Sequence, residues 1–325
     1  MIVFRLYFGN NILGLVFLPL IIGLYYTNNH LFGNQLTQAG LSFGFWGKTS
    51  GQGFFLFELT ALLAVLFNAI LINLIFNRND FREKNSFIPL LLYVVCYSFF
   101  HSFYFLDGLS VAHCLIVLML YQLSALRQNE DARRTVFNAA FLFSLACTFY
   151  PLLFVATPFL FWMTWIFRPT IIREASLIIL GLMLPLFYVV LYDYLFEMEI
   201  ALDEFSSSFA EYLSLEMAVV GFFILLLLFF ATPAAINKIN ASTIRLKKLF
   251  KLLFLLFCMV LVAGVMDGVF YEKRGGTSLL IIPVVFFVSY AFGKKNIRGV
   301  PVVIFYLFFL FSIGKFFLPI ELSGI

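Results

Sequence analysis

The sequence predicts an all-α, polytopic transmembrane helical bundle of about eleven spans, a single integral membrane domain over residues 1–325. Three observations carry that expectation. Of 325 residues, 63% are hydrophobic, 12% are charged and 46 are Phe, whereas soluble domains carry about 25% charged residues. A soluble fold of this length has too little interior to hide so much apolar side chain, so lipid must be the main solvent. The apolar residues also fall in runs suited to a hydrocarbon core of about 30 Å, which takes about 20 helical residues. Finally, Lys and Arg alternate between connecting segments in the manner of the positive-inside rule.

Taken in order, the spans are expected at 8–26, 54–76, 87–105, 110–126, 136–150, 152–167, 175–196, 218–236, 249–268, 278–293 and 300–318. The first follows Arg5 without a small-x-small cleavage pattern and reads as an uncleaved signal anchor. Residues 30–53 mix Gly, Ser, Thr and Gln with Leu31, Phe32, Leu36, Leu41, Phe43, Phe45 and Trp46, a composition suited to the headgroup level. The fifth and sixth spans share 136–167 and are interrupted by Tyr150-Pro151, where the proline removes a backbone donor and breaks the helix. Two short spans or a re-entrant pair both fit that stretch. Residues 197–217 hold six acids, with Phe205, Phe209, Tyr212 and Leu213 at helical spacing, as an amphipathic interfacial helix would have.

Cation placement sets the orientation. With two helices in 136–167, the segments Met1–Arg5, Asn77–Ser86, Arg127–Thr135, Arg168–Glu174, Asn237–Lys251 and Lys294–Arg298 share one side and hold 17 of the 21 basic residues. The other side keeps Lys48, Lys273, Arg274 and Lys315 and twelve of the 17 acids. One helix instead of two would invert every later loop and erase the asymmetry. The basic side is therefore read as cytoplasmic, with the N-terminus inside and the C-terminus outside.

Chemistry-bearing motifs are sparse. There is no P-loop, GxGxxG after a strand, GxSxG, HExxH or paired CxxC. The four cysteines, Cys96, Cys114, Cys147 and Cys258, sit inside apolar runs and read as small buried hydrophobes. No cofactor or metal is implied. Ionisable groups in or near spans are the first candidates for function, since a charge in lipid costs about 2.5–3.5 kcal/mol on insertion scales. Glu58, Asp107 and Asp193 are the candidate catalytic carboxylates, all read on the outer side with Asp267, and His101 and His113 flank Asp107. Candidate phosphate- or lipid-binding residues are Arg274 and Lys273 in the outer loop, with Arg168 and Arg173 in the inner one. Arg245, Lys247, Lys248 and Lys251 form a juxtamembrane cluster that anionic lipid accounts for without nucleic acid.

Several stretches resemble a bacterial polytopic membrane protein family of unknown function. They are Asn77-Arg78 with Asn85 to Pro89, Val136-Phe137-Asn138-Ala139-Ala140, Arg168-Pro169 with Arg173-Glu174, and Leu180-Gly181 to Pro185, with a fainter echo at Glu272 to Pro283. The organisation also looks like the membrane module of GT-C glycosyltransferases, which take sugars from polyprenyl phosphates on the outer face. That resemblance implies a lipid-phosphate role for Arg274, ahead of Leu279 to Pro283. It departs after the first span, where Thr27-Asn28-Asn29-His30 stands in place of the family's acid. Three roles follow: a non-catalytic scaffold in an envelope-biogenesis assembly of the inner membrane, a handler of polyprenyl-phosphate-linked glycan, or a transporter. The partners expected are membrane lipids, other membrane proteins and, for the second role, the lipid-linked glycan. Asn68, Asn73, Ser144 and Thr148 are the midplane polar residues available to the third.

Overall fold

The structure, a computed structural model, describes residues 7, 13–32, 41–49, 54–82, 85–126, 132–167, 172–196, 215–270, 275–292 and 299–317. Among these, eleven α-helices occur, one for each segment expected to be a span. They are α1 (Leu13–Phe32), α2 (Phe54–Arg78), α3 (Ile88–Tyr97), α4 (Gly108–Ala125), α5 (Arg133–Phe149), α6 (Thr157–Phe167), α7 (Ile172–Phe196), α8 (Leu215–Asn240), α9 (Ile244–Phe270), α10 (Ile281–Val288) and α11 (Val300–Gly314). Six of them, α1, α2, α4, α7, α8 and α9, are long and apolar enough to cross a membrane.

Burial differs sharply among the helices. Only 22% of the α7 and α8 windows is buried inside the molecule, against 67% for α4. Short α3 is buried at all ten positions, and α10 at nearly all of its eight. The peripheral helices present large apolar side chains outward: Leu15, Val16 and Leu20 on α1, Met183, Phe187 and Val190 on α7, Phe222, Leu225 and Phe229 on α8. Such faces suit lipid, which demands that a helix satisfy its own backbone over the full thickness. A helix enclosed by others can stop early, provided neighbours supply donors for its last carbonyls.

Those donors are present. At one end of the bundle, Arg82 Nη2 donates to Phe292 O at 2.8 Å beyond α10, and Tyr290 Oη donates to Phe81 O at 2.6 Å. Lys248 donates to Phe167 O, the last residue of α6, at 3.0 Å. Arg245 donates to Asn79 Oδ1 at 3.3 Å and to Ser124 O, near the end of α4, at 3.4 Å. Arg78 donates to the Tyr121 hydroxyl at 2.7 Å and lies over its ring. Thus the ends of α2, α4, α6 and α10 meet the start of α9. At the far end, the carbonyl of Ser98 after α3 accepts from Tyr104 Oη at 2.8 Å and from Lys315 Nζ.

Local sequence explains each termination. α2 closes in a Schellman turn: Phe81 N–H donates to Phe76 O and Asp80 N–H to Asn77 O, with Asp80 at φ 52° and the Phe76 and Phe81 rings stacked. α4 begins at Asp107, whose Oδ1 accepts from Ser110 N–H at 2.7 Å as an N-cap. α5 ends where Tyr150, extended at φ −134° and ψ 87°, precedes Pro151. A 3-10 turn over Pro151–Ala156 then leads into α6, so 136–167 holds two helices. Gly181 of α7 lets that helix approach α5: a Cβ there would lie 2.9 Å from Ala140 Cβ and from Phe137 O. Ser144 Oγ donates across this contact to Leu182 O at 2.6 Å.

The structure shifts some boundaries. α1 extends to Phe32, so the first residues of the 30–53 segment are helical. Within that segment, Leu41–Ser42 pairs antiparallel with Lys48–Thr49 around a 3-10 turn, Gly44–Trp46. Gly44, at φ 65°, seats this hairpin against the Thr148 and Phe149 carbonyls, which a side chain would strike. Trp46 Nε1 donates to Thr148 Oγ1 at 3.1 Å and its ring meets Phe149 and Tyr192. The expected span 87–105 is α3 followed by a separate 3-10 turn at His101–Phe103. The basic cluster Arg245–Lys251 lies on the opening turns of α9. Most of 197–217 lies outside the described residues.

Candidate functional site

The sequence-predicted carboxylates occupy separate surroundings. Asp107 is fastened by its cap to Ser110, and its Oδ2 accepts from Ser102 Oγ at 2.8 Å with His101 Nδ1 at 4.0 Å. Glu58, half-buried on α2, lies near the Tyr26 hydroxyl, which itself donates to Phe103 O at 2.6 Å. Asp193, half-buried on α7, follows Tyr192, the residue that meets Trp46. Among the described residues, no hydrogen bond or ion pair joins any two of these three. Arg173 is exposed at the start of α7. Arg168, Lys273 and Arg274 lie outside the described residues.

Two other ionisable groups are held deep in the bundle and are linked by one short segment. Asp267, on α9, is 1% exposed, and its Oδ2 accepts from the Gly276 N–H at 2.9 Å. A Cβ at Gly276 would lie 2.0 Å from Tyr150 Oη and 2.7 Å from Asp267 Oδ2, so the phenol and the carboxylate converge on this glycine. Two residues on, Ser278 Oγ lies 2.9 Å from His113 Nε2. His113, on α4, is fully buried; its Nδ1 is 3.4 Å from Tyr93 Oη and its ring stacks on Tyr97 at 4.5 Å.

The 3-10 turn Gly275–Leu280 thus carries the site: its main chain binds a carboxylate from α9, and its serine binds an imidazole from α4. Asn68 of α2 reaches the same cluster from the other side, beside Tyr93 and Cys114. His113 is thus fully buried, whereas His101 and Asp107, 4.0 Å apart, are only partly so. The Tyr93, Tyr97 and His113 cluster escapes a reading of spans. Its only trace in the sequence is the i, i+4 spacing of the two tyrosines opposite a histidine one-third of the way along the next helix.

A burial effect outside the spans also belongs to the frame. Arg82 is held below the usual guanidinium range by desolvation, an effect that Tyr290 opposes. Comparison with protein-family models, with curated proteins and with solved structures gave no match in any of the three.

Proposed function

We propose that the chain is a multi-pass protein of a bacterial cytoplasmic membrane, N-terminus inside and C-terminus outside, serving as a non-catalytic component of an envelope-biogenesis assembly. The observation behind this reading is the use made of its charges. Arg82, Arg245, Lys248 and Lys315 bind carbonyls at the ends of neighbouring helices, and Asp107 caps α4. Charge committed to backbone in this way holds a bundle rigid and leaves its apolar flanks to lipids or to other membrane proteins. Cysteine accessibility in intact cells tests the orientation: Lys247→Cys should react only after permeabilisation, and His101→Cys before it. Purification in mild detergent tests the role. Stable co-purifying membrane partners are expected, and a chain that always runs alone would end the scaffold reading.

A second reading, a handler of polyprenyl-phosphate-linked glycan, is favoured by Asp267. This buried carboxylate binds Gly276, two residues after Arg274, and could stand in for the acid missing after the first span. On this reading Arg274 and Lys273 hold phosphate. Asp267→Asn and Arg274→Ala would then each reproduce the glycan defect of a deletion, and normal glycan in both would exclude it.

A further inference from the structure

The structure divides the basic cluster at the start of α9 into two pairs. Arg245 donates to Asn79 Oδ1 and Ser124 O, and Lys248 to Phe167 O, so these two heads are engaged by the protein itself. Lys247 and Lys251 are exposed and make no hydrogen bond or ion pair with any described residue. They lie four residues apart on one face, about 6 Å along the helix. Phe254, Leu261 and Val265 continue the exposed side of α9 beyond them. Two cations thus stand at the head of an apolar stripe, the arrangement in which lysine reaches a phosphate from a helix that faces hydrocarbon.

α6 supplies a second wall. It packs on α9 and runs antiparallel to it. Its last carbonyl, Phe167 O, receives Lys248 near the start of α9, while Tyr150, before its 3-10 lead-in, meets the Gly276 turn that binds Asp267 near the end. Trp162 and Trp165 of α6 are 61% and 63% exposed. Counted from the Lys248–Phe167 bond, Trp165 and Trp162 lie about 3 and 7.5 Å along α6, and Lys251 about 4.5 Å along α9. The lysine and the two indoles therefore share one depth, and tryptophan is enriched at the headgroup level.

We infer that Lys247 and Lys251 hold the phosphodiester of one anionic phospholipid, whose acyl chains lie over Trp162, Trp165 and Phe254. A zwitterionic headgroup carries a cation of its own that the two lysines repel, so the site selects a headgroup without one, as in phosphatidylglycerol. An acidic soluble peptide would leave the apolar stripe beside the lysines uncovered. The inference rests on the membrane reading above and adds to it one class of lipid at one place.

Full-length protein in phosphatidylcholine vesicles tests it, with a minor fraction of the lipid brominated on its acyl chains to quench Trp fluorescence. Brominated phosphatidylglycerol should quench several-fold more than the same fraction of brominated phosphatidylcholine. The Lys247→Gln, Lys251→Gln double variant should lose that excess. Arg134→Gln, exposed at the start of α5, should keep it. The excess should also vanish in the Trp162→Phe, Trp165→Phe double variant, which retains only Trp46. Equal quenching by the two lipids would overturn the site and leave the membrane reading intact. So would an excess that survives loss of both lysines or both tryptophans, or one that Arg134→Gln removes equally. No quenching by either lipid would overturn both.

Discussion

Arg82 and Tyr290 tie the same two segments in opposite directions: the guanidinium binds the carbonyl of Phe292, and the phenol binds the carbonyl of Phe81. Each group thus satisfies a chain end that stops short of water. A hydrogen bond from a charged donor contributes about 1.5–3 kcal/mol and a neutral one about 1. Arg82→Gln should therefore lower stability in detergent by about 1.5–3 kcal/mol, and Tyr290→Phe by about 1. Because the residues share one junction, the double variant should depart from additivity by more than about 0.5 kcal/mol. Thermal unfolding of the three variants measures this, and strict additivity would mean two unrelated contacts.

Gly276 offers a sharper steric test. Any side chain there meets Tyr150 Oη and the Asp267 carboxylate. Gly276→Ala should cost about 1–3 kcal/mol through overpacking. Adding Tyr150→Phe removes the nearest atom but leaves Cζ 3.0 Å away, so recovery should be partial. A Gly276→Ala protein as stable as the parent would disprove the convergence of Asp267 and Tyr150 on this turn.

Asp80 adopts the left-handed conformation that closes α2, a position glycine normally takes. An L-residue pays about 1–2 kcal/mol there, less for Asp than for most. Asp80→Gly should leave stability level or raise it by up to about 1 kcal/mol, and Asp80→Val should lower it by about 1–2. Equal melting temperatures for the two variants would rule out the turn as described.

The helices were largely legible because long apolar runs suit lipid, where a helix is one of the few backbone solutions. Pro151 announced its break for the same local reason, since Tyr150 must be extended before it. Asp107 was visible as a polar residue before an apolar run, yet its reading as a candidate catalytic carboxylate overlooked the cap that the pattern Asp107-Gly108-Leu109-Ser110 encodes. What no local pattern carries is the pairing of distant residues. Arg82 meets a carbonyl 210 positions away, and His113 a serine 165 positions away. Lys248, read as part of a cluster that anionic lipid accounts for, also donates to the carbonyl that ends α6, and Asp267, noted beside other acids, accepts from a backbone amide.

Ser98 supplies the last test, because its carbonyl is held by two side chains from different parts of the chain. Tyr104 Oη donates to it from six residues away, and Lys315 Nζ donates from beyond α11 with its charge between the rings of Phe99, Tyr104 and Phe316. Removing one donor leaves the other in place, so Tyr104→Phe should cost only about 0.5–1.5 kcal/mol. Lys315→Met keeps most of the stem but loses the donor and the cation–π contacts, for about 1.5–3 kcal/mol. Removing both strands a buried carbonyl, which adds about 1–3 kcal/mol beyond the separate losses. A double variant no worse than the two single ones combined would show that Ser98 finds another donor and that Lys315 is not what closes the end of α3.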